Sequence, residues 1–187
     1  MHPTPSQLIR QTLAIATTAA LLACADETSL ASRVYGPGKV QHATLPAQET
    51  DGAIATLQRV TARYHDLNVA IHDEFVLLHP CESRPGEGPV GIVYVHPGRL
   101  MDGVIDPASP DALIYEPGRN GQRPKLVGVE FAIPYALSPN QQPPTFLGTT
   151  FQSEEEFGVF ALHVWVWRNN PEGLFAETNP NVSCGEA

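Results

Sequence analysis

The sequence predicts an α+β domain, in which one main N-terminal helix packs on a mostly antiparallel, curved sheet of about five or six strands. Two patterns support this prediction. Apolar residues recur every three or four positions between residues 51 and 74, which is the period of one helix face. The chain then changes to short alternating runs separated by proline and glycine, a pattern typical of strands joined by hairpins.

The predicted helix begins at Asp51, whose side chain is suited to an N-cap, and ends near Glu74. Its apolar stripe consists of Ile54, Leu57, Val60, Tyr64, Leu67, Ile71 and Phe75. His65 and His72 lie one heptad apart and flank this stripe. We expect both to be boundary residues in contact with water and not ligands.

Six runs after the helix are predicted to be strands. They are Phe75–Leu78, Val90–His96, Ala112–Glu116, Leu126–Ile133, Thr145–Phe151 and Val159–Trp167. The connector that follows Glu116 contains Asn120-Gly121, the dipeptide that most favours a two-residue hairpin turn. Consecutive hairpins of this kind predict a mostly antiparallel sheet.

Side chains alternate across a strand, so each predicted strand divides into two faces. One face is almost entirely apolar and suits packing under the helix. It consists of Val93, Val95, Leu113, Tyr115, Val127, Val129, Phe131, Ile133, Phe160, Leu162, Val164 and Val166. The other face collects Tyr94, His96, Glu116, Glu130, His163, Trp165 and Trp167, with small residues at Gly128, Ala132 and Ala161.

This second face carries the main functional prediction. A sheet face that only meets water rarely holds two tryptophans, whereas indoles beside an imidazole and carboxylates are typical of a concave ligand site. The candidate ligand-binding residues are Tyr94, Glu116, Glu130, His163, Trp165, Trp167 and Arg168. Arg168 at the sheet rim is expected either to bind a carboxylate or to cap loop carbonyls. Non-catalytic binding of a small ligand is favoured over an enzyme.

Two other functions remain open. A metal-assisted enzyme would use a divalent metal held by His96, His163 and Glu130, or Glu116 in place of Glu130. That hypothesis rests on face parity alone, because the sequence has no H-x-H, H-E-x-x-H or C-x-x-C spacing. The two glutamates are also a candidate acid and base pair. Nucleophilic hydrolase chemistry is not supported, since no G-x-S-x-G motif occurs.

The third function is structural. In this alternative the second face is a plain second core, because tryptophan is usually buried for packing reasons. The loop at residues 138–145 or the C-terminal tail would then fold over Trp165 and Trp167. The protein would be an interaction module that binds no ligand.

The first residues have the layout of an export signal. Arg10 precedes an apolar stretch that opens at Leu13, and about 11 apolar or small residues are too few to span a bilayer. The run Leu21-Leu22-Ala23-Cys24 resembles the bacterial lipobox, in which the cysteine is lipidated. We therefore predict a signal peptide at residues 1–23, a flexible tether at 24–50 and one domain at 51–187. The protein would then be attached to a membrane through the lipid anchor on Cys24.

The site of cleavage has an alternative. Ala23-Cys24-Ala25 also fits an A-x-A signal, and cleavage after Ala25 would give a soluble periplasmic or secreted protein. If Cys24 is lipidated, the residue that follows it is Ala25 and not an aspartate. This favours the outer membrane in a cell with two membranes. Either processing route consumes Cys24. The remaining Cys81 and Cys184 are therefore expected to form a disulfide in an oxidising compartment.

Charge excludes one class of partner. The chain has a formal net charge of −9, with no cluster of basic residues along the sequence, and its only lysines are Lys39 and Lys125. Nucleic acids and anionic membrane surfaces both favour basic clusters. We expect no nucleic-acid partner.

Several stretches resemble one family. The C-terminal sequence ALHVWVWRNNPEGLFAETNPNVSC, residues 161–184, is similar to the ending of a broad family of uncharacterised bacterial exported proteins and lipoproteins. TARYHDLNVAIHDEF, DPASPDALIYEP and KLVGVEFAIP resemble the same family, so the resemblance covers most of the predicted domain. It implies an exported single-domain protein and carries no activity with it.

Overall fold

The computed structural model describes residues 47–84 and 86–185. The predicted signal peptide, Cys24 and most of the predicted tether lie outside the described residues. Helix α1 spans Ala47–Thr61, so it begins before the predicted start and Asp51 lies inside it. The prediction of Asp51 as the N-cap is wrong, because the preceding residues Ala47–Thr50 continue the helix.

The predicted continuous helix is interrupted. A short 3₁₀ turn at Ala62–His65 follows α1, and a second helix, α2, spans Leu67–His72. Between them Asp66 has an extended backbone (φ −93°, ψ 106°), and its carboxylate accepts a hydrogen bond from the Asn68 N–H at 3.1 Å. This N-cap starts a new helix. Ile71, predicted to lie in the buried stripe, is 52% exposed beyond the break.

Within the described residues, eight strands follow the helices α1 and α2. They are β1 Val76–Arg84, β2 Gly88–Val95, β3 Ala112–Glu116, β4 Lys125–Pro134, β5 Thr145–Phe146, β6 Thr149–Thr150, β7 Gln152–Glu154 and β8 Val159–Val164. Six of them form a curled, half-barrel sheet in the order β1-β2-β3-β4-β8-β7, in which every neighbouring pair is antiparallel. The predicted α+β class, with a helix on an antiparallel sheet, is confirmed.

Turn chemistry explains how β3 returns as β4. Asn120 and Gly121 both have positive φ (53° and 75°), and the Gln122 N–H donates to the Arg119 carbonyl at 3.0 Å. This is the two-residue turn that the Asn-Gly dipeptide predicts.

Three predicted strands differ from the structure. The first, predicted at Phe75–Leu78, continues six residues further, because β1 spans Val76–Arg84. The run at 145–151 is broken by Leu147 and Gly148, both with positive φ, and forms the separate β5–β6 hairpin. The last strand ends at Val164 and not at Trp167. Strand β7, which pairs with β8 at the sheet edge, has no counterpart among the predicted strands.

Short helical segments fill two of the connections. Helix α3, Pro97–Leu100, lies between β2 and β3, and a 3₁₀ turn at Pro139–Gln141 lies between β4 and β5.

The sheet has an apolar cluster on each face. The larger one lies between the helices and the sheet and includes Leu57, Tyr64, Phe75, Leu113, Tyr115, Leu126, Val129, Phe131, Ile133, Phe160, Leu162, Val164 and Val166. The second consists of Val90, Val93, Val95, Ala112, Ile114, Val127, Trp165 and Val182. The last of these residues comes from the C-terminal tail, so the tail covers part of the face opposite the helices.

A disulfide joins Cys81 in β1 to Cys184 in the tail, with an S–S distance of 2.08 Å. The predicted pairing is present. It attaches the C-terminal tail to the first strand of the sheet, across 103 residues of sequence.

Candidate functional site

Register brings Glu130 and His163 together. Glu130 of β4 lies directly opposite His163 of β8 and, on its other side, opposite Ala112 of β3. Directly opposed residues of antiparallel strands share a face. The Glu130 carboxylate lies 3.5 Å from Nε2 of His163, and both residues are buried. This part of the predicted second face is therefore assembled as the sequence suggested.

The second ring nitrogen of His163 is also engaged. Its Nδ1–H donates to the Glu177 carbonyl at 2.6 Å, which leaves Nε2 for the carboxylate. Burial by itself lowers the pKa of His163, but the Glu130 carboxylate and the Glu177 carbonyl raise it, and the net pKa lies above its usual value. The arrangement favours an imidazolium paired with a carboxylate.

Arg84 ties the two edges of the sheet to this pair. Its guanidinium donates to both carboxylate oxygens of Glu154 at 2.9 and 3.0 Å, and to Glu177 at 2.9 Å. Arg84 belongs to the edge strand β1 and Glu154 to the opposite edge strand β7. The ion pairs therefore hold the two edges of the half-barrel together on the His163 side, with Nη2 of Arg84 on Glu154 and Nη1 on Glu177.

The tail closes over this face at Trp165. The indole N–H donates to the Ala176 carbonyl at 2.6 Å, and the side chain is 3% exposed. Two voids of about 20 Å³ each flank His163. A void of that size holds about one water molecule. The Glu130–His163 pair thus lacks room for a small organic ligand. The C-terminal tail covers Trp165, as the structural alternative predicted.

Tyr94 lies on the other face. It is opposite Leu113, which is opposite Val129 in turn, and its ring meets that of Tyr115 edge to face at 5.6 Å. These residues belong to the cluster under the helices. The predicted face of Tyr94 is therefore wrong, because the register of β2 on β3 sets Val93 and Val95, and not Tyr94, beside Trp165.

The predicted three-residue metal set is not assembled. His96 caps α3 by accepting the Arg99 N–H on Nδ1 at 3.2 Å, and its ring packs edge to face on Phe75 at 5.4 Å, in the cluster under the helices. Glu130 and His163 lie on the opposite face. Within residues 47–84 and 86–185, no group of three or more His, Cys, Asp or Glu side chains is placed to hold a metal ion.

Trp167 is separated from Trp165. Strand β8 ends at Val164, and the Val166 N–H turns back to the Val164 carbonyl at 2.9 Å, which breaks the alternation of faces. The Trp167 indole therefore packs against the helix-side cluster, where its N–H donates to the Thr61 hydroxyl at 3.0 Å. The imidazole of His65 meets the indole edge to face at 4.5 Å.

The remaining predicted residues, Glu116, Trp167 and Arg168, line an open cleft at the end of β3 and the start of β4. We call it the Arg168 cleft. It consists of two adjoining hollows that share Lys125 and Arg168. The first, of about 250 Å³, is the polar half and is lined by Glu116, Pro117, Arg119, Gln122, Lys125 and Arg168. The second, of about 300 Å³, is the aromatic half and is lined by His65, Lys125, Leu126, Val127, Trp167 and Arg168.

The Arg168 cleft is positively charged. Arg119, Lys125 and Arg168 line it, and the one carboxylate among its lining residues, Glu116, forms an ion pair with Arg168. In the part of the chain that the structure describes, Arg119 and Lys125 form no ion pair. The sequence showed no basic cluster because these residues come from a turn, a strand start and the segment after β8.

Sequence reasoning missed four charged residues of these two regions as site residues: Arg84, Arg119, Lys125 and Glu154. A partial signal existed for Arg119 and Lys125, since both flank the predicted Asn-Gly hairpin. Arg84 and Glu154 gave no signal, because they meet only when the sheet curls.

A second buried carboxyl group, that of Asp111, lies close to Glu130: Asp111 precedes Ala112, the residue opposite Glu130 on β3. Asp111 is 1% exposed, and one of its oxygens accepts the Ala132 N–H at 3.0 Å. Among the described residues its other oxygen has no hydrogen-bond partner. Burial raises the pKa of Asp111 to about 7, and the hydrogen bond from Ala132 opposes only part of that shift.

Comparison of the chain with protein-family models, curated proteins and solved structures gave no match. No helix in residues 47–84 or 86–185 combines the length and apolarity needed to cross a membrane.

Proposed function

We propose that the chain is a lipid-anchored protein of the cell envelope that binds a small anionic molecule in the Arg168 cleft without transforming it. The observation that carries this proposal is the concentration of Arg119, Lys125 and Arg168 around a cleft in a protein with a net charge of −9. Exposed cations without a carboxylate partner attract an anionic ligand, and the surrounding acidic surface repels it elsewhere.

The cleft contains three of the seven candidate ligand residues: Glu116, Trp167 and Arg168. Its hollows have the size of small-molecule pockets, unlike the voids beside His163. A half-buried indole beside fixed charges is the combination of apolar wall and placed polar groups that ligand pockets use.

Non-catalytic binding is favoured over the metal-assisted enzyme. The acid and imidazole suited to catalysis, Glu130 and His163, are buried beneath the tail beside water-sized voids. His96, the third member of the proposed metal set, lies on the other face.

Support for the anchor comes from the N-terminal residues. The lipobox-like run ending at Cys24 and the resemblance to exported bacterial lipoproteins both favour attachment to the envelope, with the outer membrane as its location in a two-membrane cell. The Cys81–Cys184 disulfide agrees with an oxidising compartment.

The ligand site is tested by titrating the purified protein with small anions, namely acetate, benzoate, citrate and inorganic phosphate, in a calorimeter at low salt. We expect at least one of them to bind, with an affinity that falls as salt is added. Lys125→Ala and Arg119→Ala should each weaken binding about tenfold, the effect of losing one charge-assisted contact.

Arg59→Ala is the matched control, since it removes one exposed positive charge from α1, outside the cleft. It should leave the affinity unchanged. Equal losses in Arg59→Ala and Lys125→Ala would reduce the effect to net charge and overturn the assignment of the cleft. If none of the four anions binds, the proposed function itself is overturned.

A further inference from the structure

Resting on the proposed function, we propose that the ligand of the Arg168 cleft is an aromatic carboxylate, whose planar ring occupies the aromatic half and whose carboxylate binds in the polar half. The cleft is divided into two chemically different hollows that are joined at Lys125 and Arg168.

The aromatic half is built to hold a flat ring. The Trp167 indole has a fixed orientation, because its N–H is bonded to the Thr61 hydroxyl at 3.0 Å. His65 stands against the indole at 4.5 Å as a second aromatic wall, and the buried residues Leu126 and Val127 complete the lining. Aromatic groups that stack on such preoriented rings gain affinity beyond that from the burial of apolar area.

The polar half suits a single small anionic group. One of its three cations, Arg168, is already neutralised by Glu116. Two positive charges, Arg119 and Lys125, remain for the ligand, and Gln122 adds a neutral donor and acceptor. This is enough for a carboxylate and less than a di- or triphosphate would require.

Lys125 lies at the junction of the two halves and lines both. A carboxylate that reaches Lys125 therefore leaves the rest of its molecule beside Trp167. An inorganic anion or an aliphatic dicarboxylate would use the polar half only and would gain nothing from the indole. The two hollows together select for a ring and an acid in one molecule.

The test compares four probes in the calorimeter at one pH and salt concentration. They are indole-3-acetate, cyclohexaneacetate, indole and inorganic phosphate. We expect indole-3-acetate to bind at least tenfold more tightly than cyclohexaneacetate, which keeps the carboxylate but lacks the planar ring. Indole without the carboxylate and phosphate without the ring should both bind more weakly than indole-3-acetate by a similar factor.

Three variants test whether this preference arises in the aromatic half. Trp167→Leu should reduce indole-3-acetate binding to the level of cyclohexaneacetate, while Trp167→Phe should retain most of the preference. Because Trp167→Leu also removes the bond to Thr61, the exposed His65→Ala variant gives a second reading that does not depend on that bond, and it should lose part of the preference.

The outcomes separate this inference from the proposed function. Phosphate or cyclohexaneacetate could bind as tightly as indole-3-acetate. If Lys125→Ala then weakens the binding of that probe and of indole-3-acetate alike, the cleft is an anion site and the aromatic preference is overturned. Equal binding of indole and indole-3-acetate overturns the requirement for the carboxylate. If none of the four probes binds, the aromatic-carboxylate inference fails, whereas the proposed function fails only if acetate, benzoate and citrate do not bind either.

Discussion

The carboxylate of Glu130 and Nε2 of His163 lie 3.5 Å apart on directly opposed residues of β4 and β8, under a tail that a disulfide attaches to β1. Both partners are almost fully buried. Breaking one side of such a pair leaves the other as an uncompensated charge, which costs more than the pair contributes when intact. The stability of the fold should therefore respond to pH and to substitution at this position.

His163→Gln should destabilise the protein by about 3 kcal/mol at pH 6, because Glu130 is left buried without its partner. A histidine whose folded pKa is raised contributes stability that is complete below pH 6.5, its usual pKa, and is lost as the pH rises through the higher folded pKa. The difference between wild type and variant should therefore shrink at alkaline pH.

Urea denaturation from pH 5.5 to 9 measures this difference. His72→Gln is the control, because the His72 side chain is 87% exposed, and it should follow the wild type throughout. A constant gap between His163→Gln and wild type across the whole range would contradict the pairing.

Asp111 should make the protein less stable as the pH rises. Its pKa is about 7 in the folded protein and 3.8 as its ordinary value, so the folded state holds a proton that the unfolded state releases. The free energy of unfolding should fall by about 3 kcal/mol through this group between pH 4 and 7. Asp111→Asn, whose side-chain oxygen can still accept the Ala132 N–H, should remove that slope.

The measurement is the unfolding free energy of both proteins at pH 4, 5.5, 7 and 8.5. Asp51→Asn, on the exposed side of α1, should keep the wild-type slope. An unchanged slope in Asp111→Asn would show that Asp111 is ionised in the folded protein at neutral pH.

Arg84→Met should loosen the closure of the sheet. The substitution keeps an apolar side chain of similar length but removes the bonds to Glu154 and Glu177. We expect a loss of about 2 kcal/mol, moderated by the partial exposure of the group. Hydrogen exchange should rise first in β7, the edge strand that Arg84 holds. A loss no larger than that of Arg59→Met, an exposed arginine, would argue against this role.

Reduction of the disulfide should destabilise the domain and expose Trp165. Closing a loop of 103 residues contributes about 4–5 kcal/mol in the chain-entropy view. The Cys81→Ser/Cys184→Ser double variant should lose stability of that order. Its emission should shift to the red, because the tail that covers Trp165 is no longer tied to β1. Retained blue emission in the folded variant would mean that the tail stays in place without the disulfide.

Cys24 carries the prediction about location. When the full chain is expressed in a bacterium, we expect the wild-type protein to fractionate with membranes and to begin at a lipidated Cys24, as measured by mass spectrometry of the mature N-terminus. Cys24→Ala should release the protein from the membrane fraction or leave it unprocessed. A soluble wild-type protein that begins at Asp26 would instead support cleavage after Ala25.

Much of the fold follows from local patterns. The period of the first segment predicted α1, the bounds predicted for β3 are those observed, and Asn120-Gly121 forms the predicted turn. The Cys81–Cys184 pairing followed from counting cysteines in a chain predicted to be exported. The helix, the strand and the turn depend on neighbouring residues, and the two remaining cysteines allow only one pairing. The sequence alone was therefore enough to predict them.

The candidate site depended on more than local pattern. Face parity correctly joined Glu130 to His163, because β4 and β8 are regular and pair without a shift there. It failed between Val127 and Gly128, because the β3–β4 register shifts by one residue there and places both on the side opposite Leu126. It also failed after Val164, where the strand ends and Trp167 turns away from Trp165.

By itself, then, the sequence determined the α+β class, the turn chemistry and the alternation of side chains within each strand, because each of these follows from short-range patterns of the chain. It also determined the disulfide, because only two cysteines remain once Cys24 is set aside. Only the tertiary structure decided which face of β2 aligns with β4, that the C-terminal tail covers Trp165, and that Arg119, Lys125 and Arg168 share one cleft with Trp167. The physical reason is that alternation fixes faces within a strand, whereas register, bulges and the curl of the sheet set which faces meet across strands.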